Sequence, residues 1–297
     1  MNESQEAIGS RLVVGCGYLG RRVAARWLAR GERVIGTTRS AVRAAELAAA
    51  GIEPVVIDVT APAPGWTAVL ARIGRPRSIL WSVGFDRTTG VSSRDVHVGG
   101  LEKLLDALAG IGGTPPVRVI LSSSTGVWGD QAGGLVDEST PPAPSREAGR
   151  VLVEAEALLA HHPAGQGTAL RFAGLYGPDR LPRLADLQAG RPLAADPDSW
   201  LNLIHIDDAA AVVEAVAEAT APRPLYVVAD GRPIRRRDWY ARLAELSDSP
   251  PPSWAADAPR TRGGDKRVDA ALVWADLGRP PHYPDALAVL PELLRAG

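Results

Sequence analysis

The sequence predicts an α/β protein: a doubly wound parallel sheet with helices on both faces, followed by a small C-terminal region. Three observations carry this reading. Short β-branched runs alternate with longer amphipathic stretches from Arg11 to about Phe172, and a glycine-rich turn joins the first run to the first amphipathic stretch. Beyond Gly177 proline and glycine rise while the alternation weakens.

Strands are expected from Leu12 to Val14, Arg33 to Thr37, Pro54 to Asp58, Ser78 to Val83, Val117 to Ser122 and Thr168 to Phe172. Between the first two, Leu19, Val23, Ala24, Trp27 and Leu28 share one helix face, and Gly31 is placed to end that helix. Leu101, Leu104, Leu105 and Leu108 repeat the spacing, as do Leu152, Ala155, Leu158 and Leu159, so all are assigned to the core. Further on, Leu201 to Ile206 reads as a strand. Ala209 to Ala217 reads as a helix capped by Asp207 and Asp208, and Pro224 to Val228 as a strand returning to the sheet. Ser249 to Ser253 is a proline-stiffened connector and Thr261 to Lys266 a mobile loop. This assigns residues 1–176, with 201–230, to the sheet domain, and 177–200 with 231–297 to a smaller region.

With 297 residues and 45% hydrophobic side chains the chain can bury a sizeable core. A formal net charge of -1 gives no electrostatic case for nucleic acid or an anionic membrane, so the expected partner is a small-molecule substrate, met by a monomer or homodimer. The single cysteine, Cys16, forms no internal disulfide. Met1 to Glu6 lacks the basic and apolar segments of a signal peptide, and no apolar run reaches the roughly 18 residues of a membrane span, so the expected location is cytoplasmic. Lys103 and Lys266 are the only lysines, which leaves arginine to supply most positive charge. His161-His162-Pro163 has no third ligand nearby, so no metal is expected.

Val14-Gly15-Cys16-Gly17-Tyr18-Leu19-Gly20 is a G-x-G-x-x-G placed directly after a strand and opening a helix, the context that makes it a Rossmann-type dinucleotide loop. Gly15 serves the tight turn, Gly17 lets the backbone approach the pyrophosphate, and Gly20 lets helix and strand pack closely. The helix N-terminus, with Cys16, Tyr18 and Leu19 around it, offers N–H groups to the phosphates and is expected to lower the Cys16 pKa. An acid usually follows about 20 positions on, to hold the ribose hydroxyls. Here that stretch is Thr38-Arg39-Ser40. Arg39 pairs with a 2′-phosphate in this reading, so NADP(H) is favoured over NAD(H); the alternative is a solvated surface arginine. Asp58 ends the third strand where a short acid accepts from adenine and Val59 packs on the ring, or else Asp58 caps the turn before Pro62. Ser82, Val83 and Gly84 end the fourth strand at the crevice where such sheets bind ligand.

Three further motifs join this loop: Leu121-Ser122-Ser123-Ser124-Thr125-Gly126-Val127-Trp128-Gly129, Leu170-Arg171-Phe172-Ala173-Gly174-Leu175-Tyr176-Gly177-Pro178, and Ile204-His205-Ile206-Asp207-Asp208. In this order they resemble the extended short-chain dehydrogenases/reductases, also called the NAD-dependent epimerase/dehydratase family. The resemblance implies that Ser124 hydrogen-bonds a substrate oxygen and that a Tyr-x-x-x-Lys pair on the next helix completes the site. Registering that helix on Glu154 puts Arg146 at the tyrosine position and Arg150 at the lysine position. No shift repairs this, because no tyrosine and only Lys103 occur between Tyr18 and Tyr176. Arg150 is left to hold the nicotinamide ribose and Arg146 to anchor an anionic group, or both join Glu154 in a surface salt-bridge ladder. A nucleotide-sugar substrate is disfavoured because Leu201 stands where many members carry an arginine. Phe85, Trp128 and Trp200, with His205, are the substrate-side candidates. The pattern is most similar to the atypical subgroup that lacks the catalytic tyrosine, with Leu277-Gly278 and Tyr283-Pro284 matching its C-terminal feature.

The function expected from these residues is NADP(H)-dependent reduction of a small non-nucleotide imine, enone or carbonyl. The alternatives are a non-catalytic NADP(H) sensor or scaffold, and an isomerase, lyase or epimerase that uses the cofactor transiently.

Overall fold

A computed structural model describes residues 9–62, 64–114, 116–255 and 264–296. Met1 to Glu6 and Thr261 to Gly263, read above as leaderless start and loop, lie outside the described residues. The central sheet has seven strands: β1 (Arg11–Val14), β2 (Val34–Thr38), β3 (Glu53–Val56), β4 (Ser78–Trp81), β5 (Arg118–Ser124), β6 (Gln166–Phe172) and β7 (Leu225–Val228). They lie in the order β7-β6-β5-β4-β1-β2-β3, with β1 parallel to both β2 and β4. The chain therefore reverses its winding direction at β1, and the crevice between β1 and β4 is the switch point where open α/β sheets take ligands.

Alternate residues of the strands serve opposite faces. Leu12 and Val14 of β1, Ile79 and Trp81 of β4 and Val119 and Leu121 of β5 share one core with α3 (Gly65–Ile73), α4 (Gly100–Ile111) and α5 (Glu147–His161). On α4 the leucine stripe is buried as its spacing predicts, whereas on α5 Val151, Ala155 and Leu159 are buried and Leu152 and Leu158 only partly so. Val13 points the other way, toward α1 (Tyr18–Ala29). Arg26 of α1 then pairs with Glu214 of α6 (Ile206–Glu218). Arg11 is wholly buried on β1 and is held by Glu32, Glu218 and the Ser78 hydroxyl, the last at 2.8 Å. A buried guanidinium is tolerable only with its charge and donors satisfied, as here.

The chain forms two compact units. One comprises Met1–Ser123, Val151–Leu170 and Ala210–Leu225; the other comprises Ser124–Arg150, Arg171–Ala209 and Tyr226–Gly297. The second has its own core, in which Tyr176, Leu203, Trp239, Leu243 and Leu290 meet. Its helices include α7 (Arg236–Leu246) and α8 (Ala286–Ala296).

Several boundaries differ from the sequence reading for local reasons. The strand expected from Leu201 to Ile206 is two pieces, Trp200–Leu201 and Leu203–His205. Asn202 separates them because its side-chain amide is drawn into bonds with the Lys266 carbonyl and the Val268 N–H, both 2.9 Å. Asp207 and Asp208 lie inside the first turn of α6 instead of capping it. The Asp208 carboxylate takes the N–H groups of His282 and Tyr283 at 2.9 and 2.8 Å, pinning the C-terminal segment. The expected loop at Thr261 to Lys266 is also shorter than its sequence suggested, since Asp265 and Lys266 are stitched to residues 129–133.

Gly20 sits where α1 crosses β1, and a Cβ there would lie 2.8 Å from both the Gly15 carbonyl oxygen and Val13 Cγ1. Gly17, three residues earlier, has nothing within 4 Å of such an atom. Gly20→Ala is therefore expected to destabilise the protein by about 1–3 kcal/mol in urea unfolding, from overpacking. Gly17→Ala should stay within about 1 kcal/mol, the scale of a cap change.

Candidate functional site

The switch point opens into a cavity of about 350 Å³ within the first unit, a size that suits a small-molecule or cofactor site. Its floor is the glycine loop. Gly15 has a φ of +83°, and a Cβ would collide with the Ser82 carbonyl oxygen at 2.5 Å, so only glycine lets β1 turn this tightly beside β4. The turn is fixed by the Gly15 N–H donating to Thr37 Oγ1 at 3.0 Å and the Cys16 N–H to the Thr37 carbonyl at 3.2 Å. Gly17 then caps α1 with no side-chain acceptor, and the first turn holds no acid. An uncapped helix start beside an open approach at Gly17 is what a pyrophosphate requires. The residues present therefore fit a dinucleotide.

Around this floor, Thr38, Arg39, Asp58, Val59, Ser82, Val83, Gly84 and Phe85 all line the cavity, as the sequence reading expects. Arg39 Nη2 stands 3.6 Å from Asp86 Oδ2, with both side chains about half exposed. Asp58 uses Oδ1 to accept from the Thr60 N–H and hydroxyl at 2.9 and 2.7 Å, and these bonds hold its pKa below the usual carboxylate value. It thus closes a turn and faces the cavity at once.

Other expected site residues are placed differently. Ser40 caps α2 (Ala41–Ala49), accepting from the Arg43 N–H, and is not on the cavity wall. Leu19 buries its side chain in the core. Cys16 does line the cavity, but burial pushes its thiol up to about 11 against a smaller opposing effect of Arg21, so the helix N-terminus does not make it a thiolate. Trp128 is fully buried, donates to the Thr140 carbonyl at 2.9 Å and has the Arg171 guanidinium over its ring, which makes it core and not a pocket wall. Trp200 carries the Arg235 guanidinium 3.7 Å from its ring centroid. His205 is enclosed between Tyr176 and Tyr283, with centroid distances of 5.2 and 3.8 Å.

Ser124 is the last residue of β5. Its hydroxyl oxygen accepts from the Gly126 N–H at 3.1 Å, which leaves the hydroxyl proton to be donated. Arg146 and Arg150 are both exposed. The salt-bridge ladder with Glu154 is not formed, because Glu154 is taken by Arg94, whose Nε lies 2.9 and 3.0 Å from its two oxygens.

The structure also brings forward residues that the sequence reading passed over. Arg43 joins Arg39 on the cavity wall, one helical turn away, a position readable once α2 is known to start at Ala41. In the second unit Lys266 is buried, donates to the Gly129 carbonyl at 3.0 Å and is brought down to about 8 by burial. Asp230 is buried in the same unit, with Oδ1 accepting from the Arg232 N–H at 2.9 Å. Burial raises it to about 7, Asp285 and Asp208 adding to the shift and Arg232 opposing it.

Residues 11–229 match the model of the NAD dependent epimerase/dehydratase family. The chain belongs to that family. Among curated relatives, Protein YeeZ of Escherichia coli K12 is 29% identical over 279 residues, 93% of this chain and 97% of its own length. A solved structure from Methylobacillus flagellatus, of NAD-dependent epimerase/dehydratase type, is 32% identical with a TM-score of 0.77 and covers 98% of this chain and 99% of that one. The UDP-glucose 4-epimerase of Thermus thermophilus, solved in complex with NAD, has a TM-score of 0.79 at 18% identity over 97% of this chain and 99% of its own, which is a likeness of fold. Family membership supports a nicotinamide cofactor for this chain. Among the described residues no helix is long and apolar enough to cross a membrane.

The raised Asp230 pKa makes stability depend on pH with a definite sign. The folded protein holds this proton up to about pH 7 and the unfolded chain releases it near 3.8, so stability falls as pH rises through that interval. Asp230→Asn keeps the Oδ1 acceptor and removes the buried charge. It should match wild type near pH 4 and be more stable at pH 8 by on the order of 2–4 kcal/mol in chemical denaturation at the two pH values.

Proposed function

We propose that this protein is an NADP(H)-dependent oxidoreductase that reduces a small non-nucleotide imine, enone or carbonyl. The observation that carries the cofactor choice is the pair Arg39 and Arg43 on the cavity wall after β2, where an NAD site would present a carboxylate to the ribose. Two guanidiniums there match a 2′-phosphate in charge and donor geometry. Asp86, on the same cavity wall, lies 3.6 Å from the Arg39 guanidinium. The NAD-bound Thermus epimerase shares the fold.

In this reading the glycine loop and the start of α1 receive the pyrophosphate, and Asp58 and Val59 the adenine. The cofactor, when bound, supplies the hydride. Ser124 would donate a hydrogen bond to the substrate heteroatom, with water supplying any proton that the substrate does not already carry, and the bond from the Gly126 N–H keeps that hydroxyl oriented. Arg150 holds the ribose. Neither Arg146 nor Arg150 can act as a general acid, because a guanidinium stays protonated near neutral pH. A site with no tyrosine relay favours acceptors that need little protonation in the transition state, such as imines already protonated in solution or conjugated double bonds.

Fluorescence titration tests the cofactor. NADPH is expected to bind about 10- to 100-fold tighter than NADH, and Arg39→Ala to remove most of that preference while leaving NADH affinity unchanged. Equal affinities in the wild type would overturn it. Turnover with a carbonyl, imine and enone panel tests the reaction: NADPH oxidation supports it, whereas product without net NADPH loss would mean an isomerase, and tight binding with no turnover a sensor.

A further inference from the structure

The cavity wall that presents Arg39 and Arg43 presents two acids as well, Asp58 and Asp86. Asp58 keeps Oδ1 in its turn with Thr60, and its charge is favoured by Arg39 and by Lys103, whose Nζ donates to the Thr60 carbonyl at 2.5 Å. Asp86 comes from the segment after β4. It opens a short helical turn, Arg87–Thr89, that Gly90 closes with a φ of +72°. The charged side chains on the cavity wall are thus two guanidiniums and two carboxylates, and each carboxylate lowers the positive potential that a phosphate would meet.

The two oxygens of the Asp86 carboxylate have separate partners. Oδ1 accepts from the Thr88 N–H at 3.0 Å and from the Thr88 hydroxyl at 2.7 Å, while the Asp86 carbonyl accepts from the Thr89 hydroxyl at 2.9 Å. Oδ2 is left to face Arg39 Nη2, 3.6 Å away. The bonds from Thr88, and after them the charge of Arg39, hold the Asp86 pKa below the usual carboxylate value, so the group is ionised throughout the neutral range. The turn therefore fixes the carboxylate, whereas the pair with Arg39 is long and half exposed, so another anion can displace it at small cost. A phosphate bound by Arg39 has to take the guanidinium from Asp86 and then lie beside that carboxylate. Both effects oppose a dianion, and neither opposes a neutral ribose hydroxyl.

We propose that Asp86 is a specificity-determining residue of this cavity: it competes with a 2′-phosphate for Arg39 and so sets how strongly the site prefers a 2′-phosphorylated dinucleotide over the 2′-hydroxyl form. This rests on the placement of the 2′-phosphate at Arg39 in the cofactor reading above. The preference is then a balance between Arg39 and Asp86 and not a property of the arginines alone. Salt weakens that balance, because the pair meets the phosphate in contact with water.

Fluorescence titration of the full chain with NADPH and NADH, and calorimetry with the fragments 2′,5′-ADP and 5′-AMP, read this balance without turnover. Asp86→Asn keeps an Oδ1 acceptor for Thr88 and removes the charge that faces Arg39. It is expected to tighten NADPH and 2′,5′-ADP about 3- to 10-fold, to leave NADH and 5′-AMP within about twofold, and to lose most of its gain between about 50 and 500 mM salt. Asp86→Ser, whose hydroxyl still caps the turn, should behave alike and serves where the first variant folds poorly. An unchanged NADPH-to-NADH ratio in the folded variants, or equal gains for both cofactors, in a protein whose preference Arg39→Ala removes, would overturn the proposal and leave the cofactor reading standing. No preference in the wild type and none in the variants would overturn both. A preference that first emerges in Asp86→Asn would support the role of Asp86 and correct the cofactor reading.

Discussion

At the crossing of α1 and β1 there is no room for a side chain, and much of the first unit is arranged around that contact. Gly20 sets the helix against Gly15 and Val13, and Gly15 sets the turn against the β4 backbone at Ser82 and Val83. With the helix this close, its uncapped N–H groups face the crevice at the point where strand order reverses. The cavity walls follow from the same geometry, since the ends of β2, β3 and β4 converge on the loop. A methyl group at either glycine would move the helix axis and with it the phosphate site.

Charge is managed in two contrasting ways. Arg11 is fully enclosed, and two glutamates and a serine satisfy it, so its role is to tie β1 to β4 and α6. Arg118 directs Nη1 to the carbonyls of Val216, Ala217 and Ala219 near the end of α6, where a cation complements the helix dipole. Arg39 has only the half-exposed Asp86 at 3.6 Å as a partner and lies on the cavity wall, where a ligand can complete it. The difference between a structural and a ligand-seeking arginine is thus the pairing and not the residue type.

The second unit is held by contacts distant in sequence. Asp208 fixes residues 282 and 283, Asn202 and Lys266 fix the short strand Arg267–Val268, and Asp265 holds the turn at residues 130–133. Several of these polar groups are buried, which explains the shifts at Lys266 and Asp230: desolvation, and not a single neighbour, is the largest influence on each.

The sequence by itself determined the order of strands and helices, the glycine loop and the residues at the strand ends, because periodicity and turn chemistry are local and Gly15 and Gly20 each answer a local steric demand. The leucine stripe of α4, the cap-free start of α1 and the place of Arg39 were all legible on that basis. Only the tertiary structure decided which polar side chains face a cavity and which are spent on the fold. Ser40 looked like a ligand group and is a helix cap; Trp128 looked like a pocket wall and is core; Asp208 looked like a cap and is a clamp on residues 282–283. Nothing in the neighbouring sequence marked Lys266 as buried. The physical reason is that burial and partner identity depend on segments far apart in the chain, and the same carboxylate, hydroxyl or guanidinium serves structure or ligand according to what the fold brings against it.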